Sequence, residues 1–186
     1  MYNMRVPPRK PGRPSQPLVN QVRLLKTALQ LLEEGGADGV TMRALAERLG
    51  VNPMAAYHYF DSKEALLRAA AGRHYRQFRP RLDQADPPAR LLALGLAYGR
   101  FLRASRQLLS YLVTNTQAAM GGPVAHFDGL FSRALGSLRL SLEERHTARN
   151  AFVDLVHGFA LAGTAAPLHL LADELRLLIA GITRRL

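Results

Sequence analysis

Six histidines and fourteen carboxylates are the groups in this 186-residue chain that could do acid–base or metal chemistry, and their spacing suits neither. The histidines at 58, 74, 126, 146, 157 and 169 include no pair three or four apart, the spacing that sets two ligands on one helix face. The clustered carboxylates, Asp83/Asp86, Glu143/Glu144 and Asp173/Glu174, fall in loops or first helical turns, where capping explains them. With no cysteine, disulfides, thiolate zinc sites and thiol nucleophiles are excluded together. There is no Gly-x-Ser-x-Gly elbow and no phosphate-cradling glycine loop. Neither an enzyme nor a cofactor or metal protein is expected. The chemistry that remains is charge. Twenty-five basic against fourteen acidic residues leave +11, and 22 of the basic residues are arginine, whose planar fork pairs bidentately with phosphate. The surplus is uneven: +4 over residues 1–70, +6 over 71–110 and +1 over 111–186. A polyanion should meet the first part of the chain.

Several residues in that part are placed for such contact. Tyr57 and Tyr59 stand two apart, so on a helix they point to different faces and at least one must be exposed. Lys63 lies in a first helical turn, against the macrodipole, which a functional partner explains better than stability does. The bases Arg5, Arg9, Lys10 and Arg13 lie among five of the eleven prolines in residues 1–17, a segment expected to be an extended, disordered arm.

The elements that would hold these residues are helices. Leu and Ala number 60 against 18 for Val, Ile and Thr, a ratio that favours helix over sheet. Leu18, Val22, Leu25, Leu29 and Leu32 form one amphipathic stripe, ended by Gly35-Gly36. A short helix follows with Thr41 as N-cap and Gly50 at its C-terminus. Asn52-Pro53 opens a third helix that can run only to about Phe60. The Asp61–Glu64 stretch, with capping-box spacing, opens a fourth that continues towards Pro80. Beyond Pro88 the pattern predicts helices near 89–105, 107–118, 123–139, 141–165 and 168–184. No run of 18 apolar residues occurs, so a soluble, cytoplasmic protein associated with the nucleoid, and no membrane partner, is expected.

Two short helices joined by Leu49-Gly50-Val51-Asn52 have helix-turn-helix geometry, in which the second lies in the DNA major groove. Thr41, Leu45-Ala46, Gly50-Val51, Tyr57, Tyr59-Phe60, Ser62-Lys63 and Leu66-Leu67 together resemble the tetracycline-repressor (TetR) family of bacterial transcriptional regulators over residues 18–70. The later chain is similar only in size and helical character, plus the Val156-His157-Gly158 stretch. The resemblance implies an all-α protein: a basic arm (1–17), a three-helix DNA-binding domain (18–65), and a helical ligand-binding and dimerisation bundle (66–186). It implies a regulator, a repressor, that binds a pseudo-palindromic operator in double-stranded DNA as a homodimer and is released by a small molecule. The other reading open to so basic a chain is a sequence-tolerant architectural DNA binder.

The resemblance also assigns roles. Thr41 becomes a DNA contact, Tyr57, Tyr59 and Lys63 phosphate contacts, and Arg43 a base reader, arginine on guanine being the commonest specific pairing. Pro53, Met54 and Ala55 occupy the leading turn that meets base edges, yet bring almost no hydrogen-bonding capacity. Arg43 and His58 are left as the polar readers. Arg13 lies in Lys10-Pro11-Gly12-Arg13-Pro14, which resembles a minor-groove AT-hook core. For the effector, a hydrophobic or aromatic molecule, the expected walls are Tyr98, Phe101, Leu102, Tyr111, Met120, Phe127, Phe131, Phe152 and His157. Arg100, Arg103 and Arg106 could admit an anionic tail. The dimer surface is expected from two stripes, Leu168, Leu171, Leu175, Leu178 and Ile182, and Ala148, Phe152, Leu155, Phe159 and Ala162.

Overall fold

The computed structural model describes residues 20–163 and 166–184, and among these it is helical throughout, with no strand. The basic arm, Arg13 within it, and Leu18 lie outside the described residues. No helix among them is long and apolar enough to cross a membrane.

The first helix, α1 (Gln21–Gly39), is capped by Asn20, whose side chain accepts from the Arg23 amide at 2.9 Å. It buries Leu24, Leu25, Ala28, Leu31 and Leu32. Val22, expected on the inner stripe, is exposed. At Gly36 the backbone turns to φ 64° and breaks the helix, as the Gly-Gly pair predicts, because only glycine adopts that conformation cheaply. Then α2 (Met42–Leu49) starts on Thr41, whose hydroxyl accepts from Ala44 N at 3.0 Å. It stops at left-handed Gly50, φ 67°. Asn52 caps α3 (Pro53–Tyr57), with proline at the start, where a missing N–H costs nothing. The α4 helix (Lys63–Gln77) is capped by Ser62 through Ala65 N rather than by a box from Asp61 to Glu64.

The second half is a bundle around α5 (Pro87–Ala104), on which α8 (Gly122–Leu135), α9 (Leu142–Leu161) and α10 (Leu168–Thr183) pack. Gly95 and Gly99, one turn apart on α5, let α10 approach closely. A Cβ at either would collide with Leu175 or Leu171 respectively. That close packing turns most of the two expected dimer stripes inward, while Ala148, Leu178 and Ile182 still border the open groove between α9 and α10. Leu171, Leu175, Ile182, Ala148, Phe152 and Phe159 are buried in the bundle, Leu168, Leu155 and Leu178 are half-buried, and of those named only Ala162 is exposed. The outward face instead carries Thr147, Ala151 and Gly158 on α9, with Leu170, Leu177 and Gly181 on α10.

Three expected helices differ in extent. Residues 107–118 are two helices, α6 (Arg106–Thr114) and α7 (Thr116–Ala119). They break at Asn115, whose side chain donates to Tyr111 O and bonds with Thr114 Oγ1. The α8 helix stops at Leu135 because Gly136 turns to φ 55° and the Arg90 guanidinium, packed against it, donates to Ala134 O. The α9 helix opens with the Ser141–Glu144 capping box but ends at Leu161, where Arg106 donates to the last carbonyl.

Two of the contacts between the halves are made by backbone groups. Glu33 of α1 accepts from the backbone amides of Gln107 and Leu108, at 3.3 and 3.2 Å. It thereby caps α6, because Ser105, in the N-cap place, turns its hydroxyl to Phe101 O. Further along, α4 crosses the start of α8 backbone to backbone: a Cβ built on Gly122 would lie 3.0 Å from Gly72 Cα.

Candidate nucleic-acid interface

Buried Met42, Leu45, Ala46, Ala56 and Phe60 fix α2 and α3 against α1 and each other. Their helical period turns the remaining side chains outward. Thr41, Arg43, Pro53, Met54, Tyr57, His58 and Tyr59 are exposed, and Ala55 and Lys63 partly so. None of the nine described residues expected to touch DNA belongs to the core. Met54 at 61% exposure is the most prominent apolar side chain of this surface. That is what base-edge contact through thymine methyls requires and what folding alone would disfavour. Both tyrosines are exposed, at 46% and 42%. Arg43 and His58 have no hydrogen-bond or ion-pair partner among the described residues. Arg48, by contrast, is held away: its guanidinium grips Glu34 bidentately at 3.0 and 2.7 Å. That pairing keeps the exposed Glu34 carboxyl below its usual range.

Behind this surface, a cavity of about 240 Å³ lies between α4, α5, α6–α7, α8 and α9. Of the expected wall residues it gathers Tyr98, Phe127 and His157. The others are placed elsewhere. Leu102, Phe131 and Phe152 are fully packed core, and Phe101 stacks on His74 with ring centres 4.6 Å apart. Tyr111 is buried outside the cavity, and Met120 is 66% exposed. Large apolar residues in a bundle serve packing first, so size alone could not separate wall from core. Arg103 and Arg106 turn to the end of α9, where Arg103 donates to Ala166 O and lies over the Phe159 ring. None of Arg100, Arg103 and Arg106 lines the cavity.

The cavity adds Tyr75, Arg149 and Asp154, which the sequence reading missed. Tyr75 continues the buried i, i+4 line of Leu67 and Ala71 on α4, a signal that periodicity could have found. Inside, the Tyr98 hydroxyl and His157 Nε2 share a 3.0 Å hydrogen bond, and the Tyr75 ring stands edge-on to Tyr98 with centres 6.5 Å apart. Burial pushes both phenols above their ordinary pKa and holds the His157 imidazole below 6.5, Asp154 partly opposing the latter. All three groups are therefore neutral near pH 7. Arg149 is paired with Asp128 at 3.4 Å.

Comparison with known proteins agrees with this arrangement. A sequence model described as bacterial regulatory proteins, tetR family, matches residues 24–70. The HTH-type transcriptional repressor KstR of Mycolicibacterium smegmatis is 32% identical over 144 residues, 68% of this chain and 68% of that protein. The chain belongs to the TetR family of bacterial regulatory proteins. TetR-family membership makes it a DNA-binding regulator of transcription rather than an enzyme. The class A tetracycline repressor from Escherichia coli is 54% identical, but over 48 residues only, 26% of this chain and 22% of its own. Sequence likeness to that TetR protein is therefore confined to a short stretch. Over the whole fold, a TetR variant from Acinetobacter baumannii solved with minocycline superposes with a TM-score of 0.70 at 25% identity, covering 90% of this chain and 98% of that one.

Proposed function

We propose that this chain represses transcription as a homodimer on a pseudo-palindromic operator and leaves it when a small molecule enters the bundle cavity. The observation that carries the DNA half is the exposed row from Thr41 to Lys63 on a helix-turn-helix. Tyr57, Tyr59, Lys63 and the Thr41 hydroxyl grip phosphates, Arg43 and His58 read base edges, and Pro53, Met54 and Ala55 supply apolar contact. The KstR relative is a transcriptional repressor, and a ligand-bound TetR neighbour supports the effector half.

The dimer reading rests on the outward face of α9 and α10. A groove of about 590 Å³, open to solvent, runs between Thr147 and Ala151 on one side and Leu177 and Gly181 on the other. With Leu177 77% exposed and small residues beside it, a second copy can approach closely and cover an apolar face. One short recognition helix reads few bases, and a two-fold axis doubles that number. Effector release needs differential affinity alone: a 100-fold loss of operator binding corresponds to about 2.7 kcal/mol.

The test is capture of genomic fragments at physiological salt, followed by binding of the enriched sequence. A single enriched palindrome is expected; uniform recovery would establish the architectural reading instead. On that palindrome, Lys63→Ala should weaken all duplexes alike and lower the salt slope by about one. Arg43→Ala should cost about 1–3 kcal/mol on the operator and little on random DNA. Equal losses on both would remove Arg43 from base readout.

A further inference from the structure

The dimensions and polarity of the cavity specify its ligand more narrowly than membership of a family of regulators does. Effector sites commonly span about 300–1,000 Å³, and this one has about 240 Å³. A dry cavity of about 150 Å³ holds benzene, so by proportion this one accommodates about ten non-hydrogen atoms. A fused bicycle or a substituted ring fits. A sterol or a long acyl chain would have to project beyond it.

The walls sort by chemistry. Leu112, Ala119, Pro123, Phe127 and Val153 supply apolar surface. The exposed side chains of Val113 and Val124, from α6 and α8, flank the outer edge. The uncharged polar groups of the inner wall lie together, the hydrogen-bonded pair Tyr98 and His157 with Tyr75 beside them. That row has neutral hydroxyl and imidazole groups and no fixed charge. The charged lining residues leave little net charge for an ion: Arg149 pairs with Asp128 at 3.4 Å, and Asp154 shares the lining with it. Asp154 is itself exposed, so water rather than a buried cation solvates it. An ion entering the cavity would lose hydration without a free counter-charge to replace it.

We infer that the effector is a compact, uncharged aromatic molecule of one or two rings with a single hydrogen-bonding oxygen, seated with that oxygen on the Tyr75–Tyr98–His157 row. This rests on the reading of the cavity as the effector site. A phenol or a carbonyl satisfies the row equally, since a neutral tyrosine hydroxyl donates and accepts.

The test uses the full-length protein and four probes: 1-naphthol, 1-naphthoate, 1-naphthylmethylammonium and palmitoyl-CoA. Calorimetry measures binding, and a mobility assay with the enriched palindrome measures release. Binding of 1-naphthol at least tenfold tighter than any other probe is expected, with release of DNA. Tyr98→Phe keeps the ring and its packing but breaks the row, and should weaken 1-naphthol up to about tenfold. Tighter binding of the naphthoate, the ammonium or the acyl-CoA would overturn the inferred class, and release by that probe would leave effector control standing. Binding of 1-naphthol without release would keep the class and refute effector control. No binding of 1-naphthol at millimolar concentration, or full affinity in Tyr98→Phe, would overturn the inference.

Discussion

His157 shows how much of a site can hide from a sequence. The residue is visible as a lone histidine on an apolar helix, but its partner Tyr98 is 59 positions away, and no periodicity connects the two. The DNA-facing residues were legible for the opposite reason. Tyr57, Tyr59 and Lys63 lie within seven positions of one another, so caps and helical period fix their exposure locally. The buried imidazole also has a measurable consequence. Burial holds it neutral in the fold, whereas the unfolded chain protonates near pH 6.5. Its contribution to stability is complete above that pH and is lost as pH falls, until the folded imidazole is protonated too. Between pH 7 and pH 5, the wild-type melting temperature should drop further than that of His157→Gln, whose amide can still meet Tyr98. Superimposable pH profiles would show that the residue is solvated in the fold.

Among the elements, the helix starts were written plainly and several ends were not. Thr41, Asn52 and Ser141 act as caps through bonds to their own next turn, which is local chemistry. The ends of α8 and α9 depend on Arg90 and Arg106, arriving from elsewhere in the fold, and so were overextended in the sequence reading. The start of α6 is the extreme case, since its cap is Glu33, 74 residues earlier. A cap of this kind typically stabilises by about 1 kcal/mol. Here it joins the helix that carries the DNA-binding motif to the helix that walls the cavity through Leu112 and Val113. Glu33→Ala should lower unfolding free energy by about that amount in urea denaturation. It should also reduce the ratio of operator affinities without and with effector. Lost stability with an unchanged ratio would make Glu33 a cap and nothing more.

For the whole molecule, apolar stripes on α9 and α10 were read correctly as periodic and wrongly as the outer face, because the closeness permitted by Gly95 and Gly99 draws them inward. Hydrophobicity alone does not say which of two faces a bundle will take. What remains outside is sparse and small, centred on Leu177 and Gly158. Leu177→Arg should convert a dimeric mass to a monomeric one in analytical ultracentrifugation while preserving helix content by circular dichroism. A dimer that persists would move the interface elsewhere. The contact of Gly72 with Gly122 then acquires a mechanical meaning. With no side chain between them there is no soft layer to absorb displacement, so the crossing is a fulcrum. From Gly72 to the start of α4 is nine residues, an arm of about 14 Å. A tilt of about 5° there moves the arm's tip by about 1 Å. Mirrored through a two-fold axis, the two reading heads would part or close by about 2 Å, against a half-site spacing of about 34–36 Å. A methyl group at Gly122, 3.0 Å from Gly72 Cα, would press on that crossing, whereas one at Gly72 would meet Gly122 at an ordinary 3.9 Å.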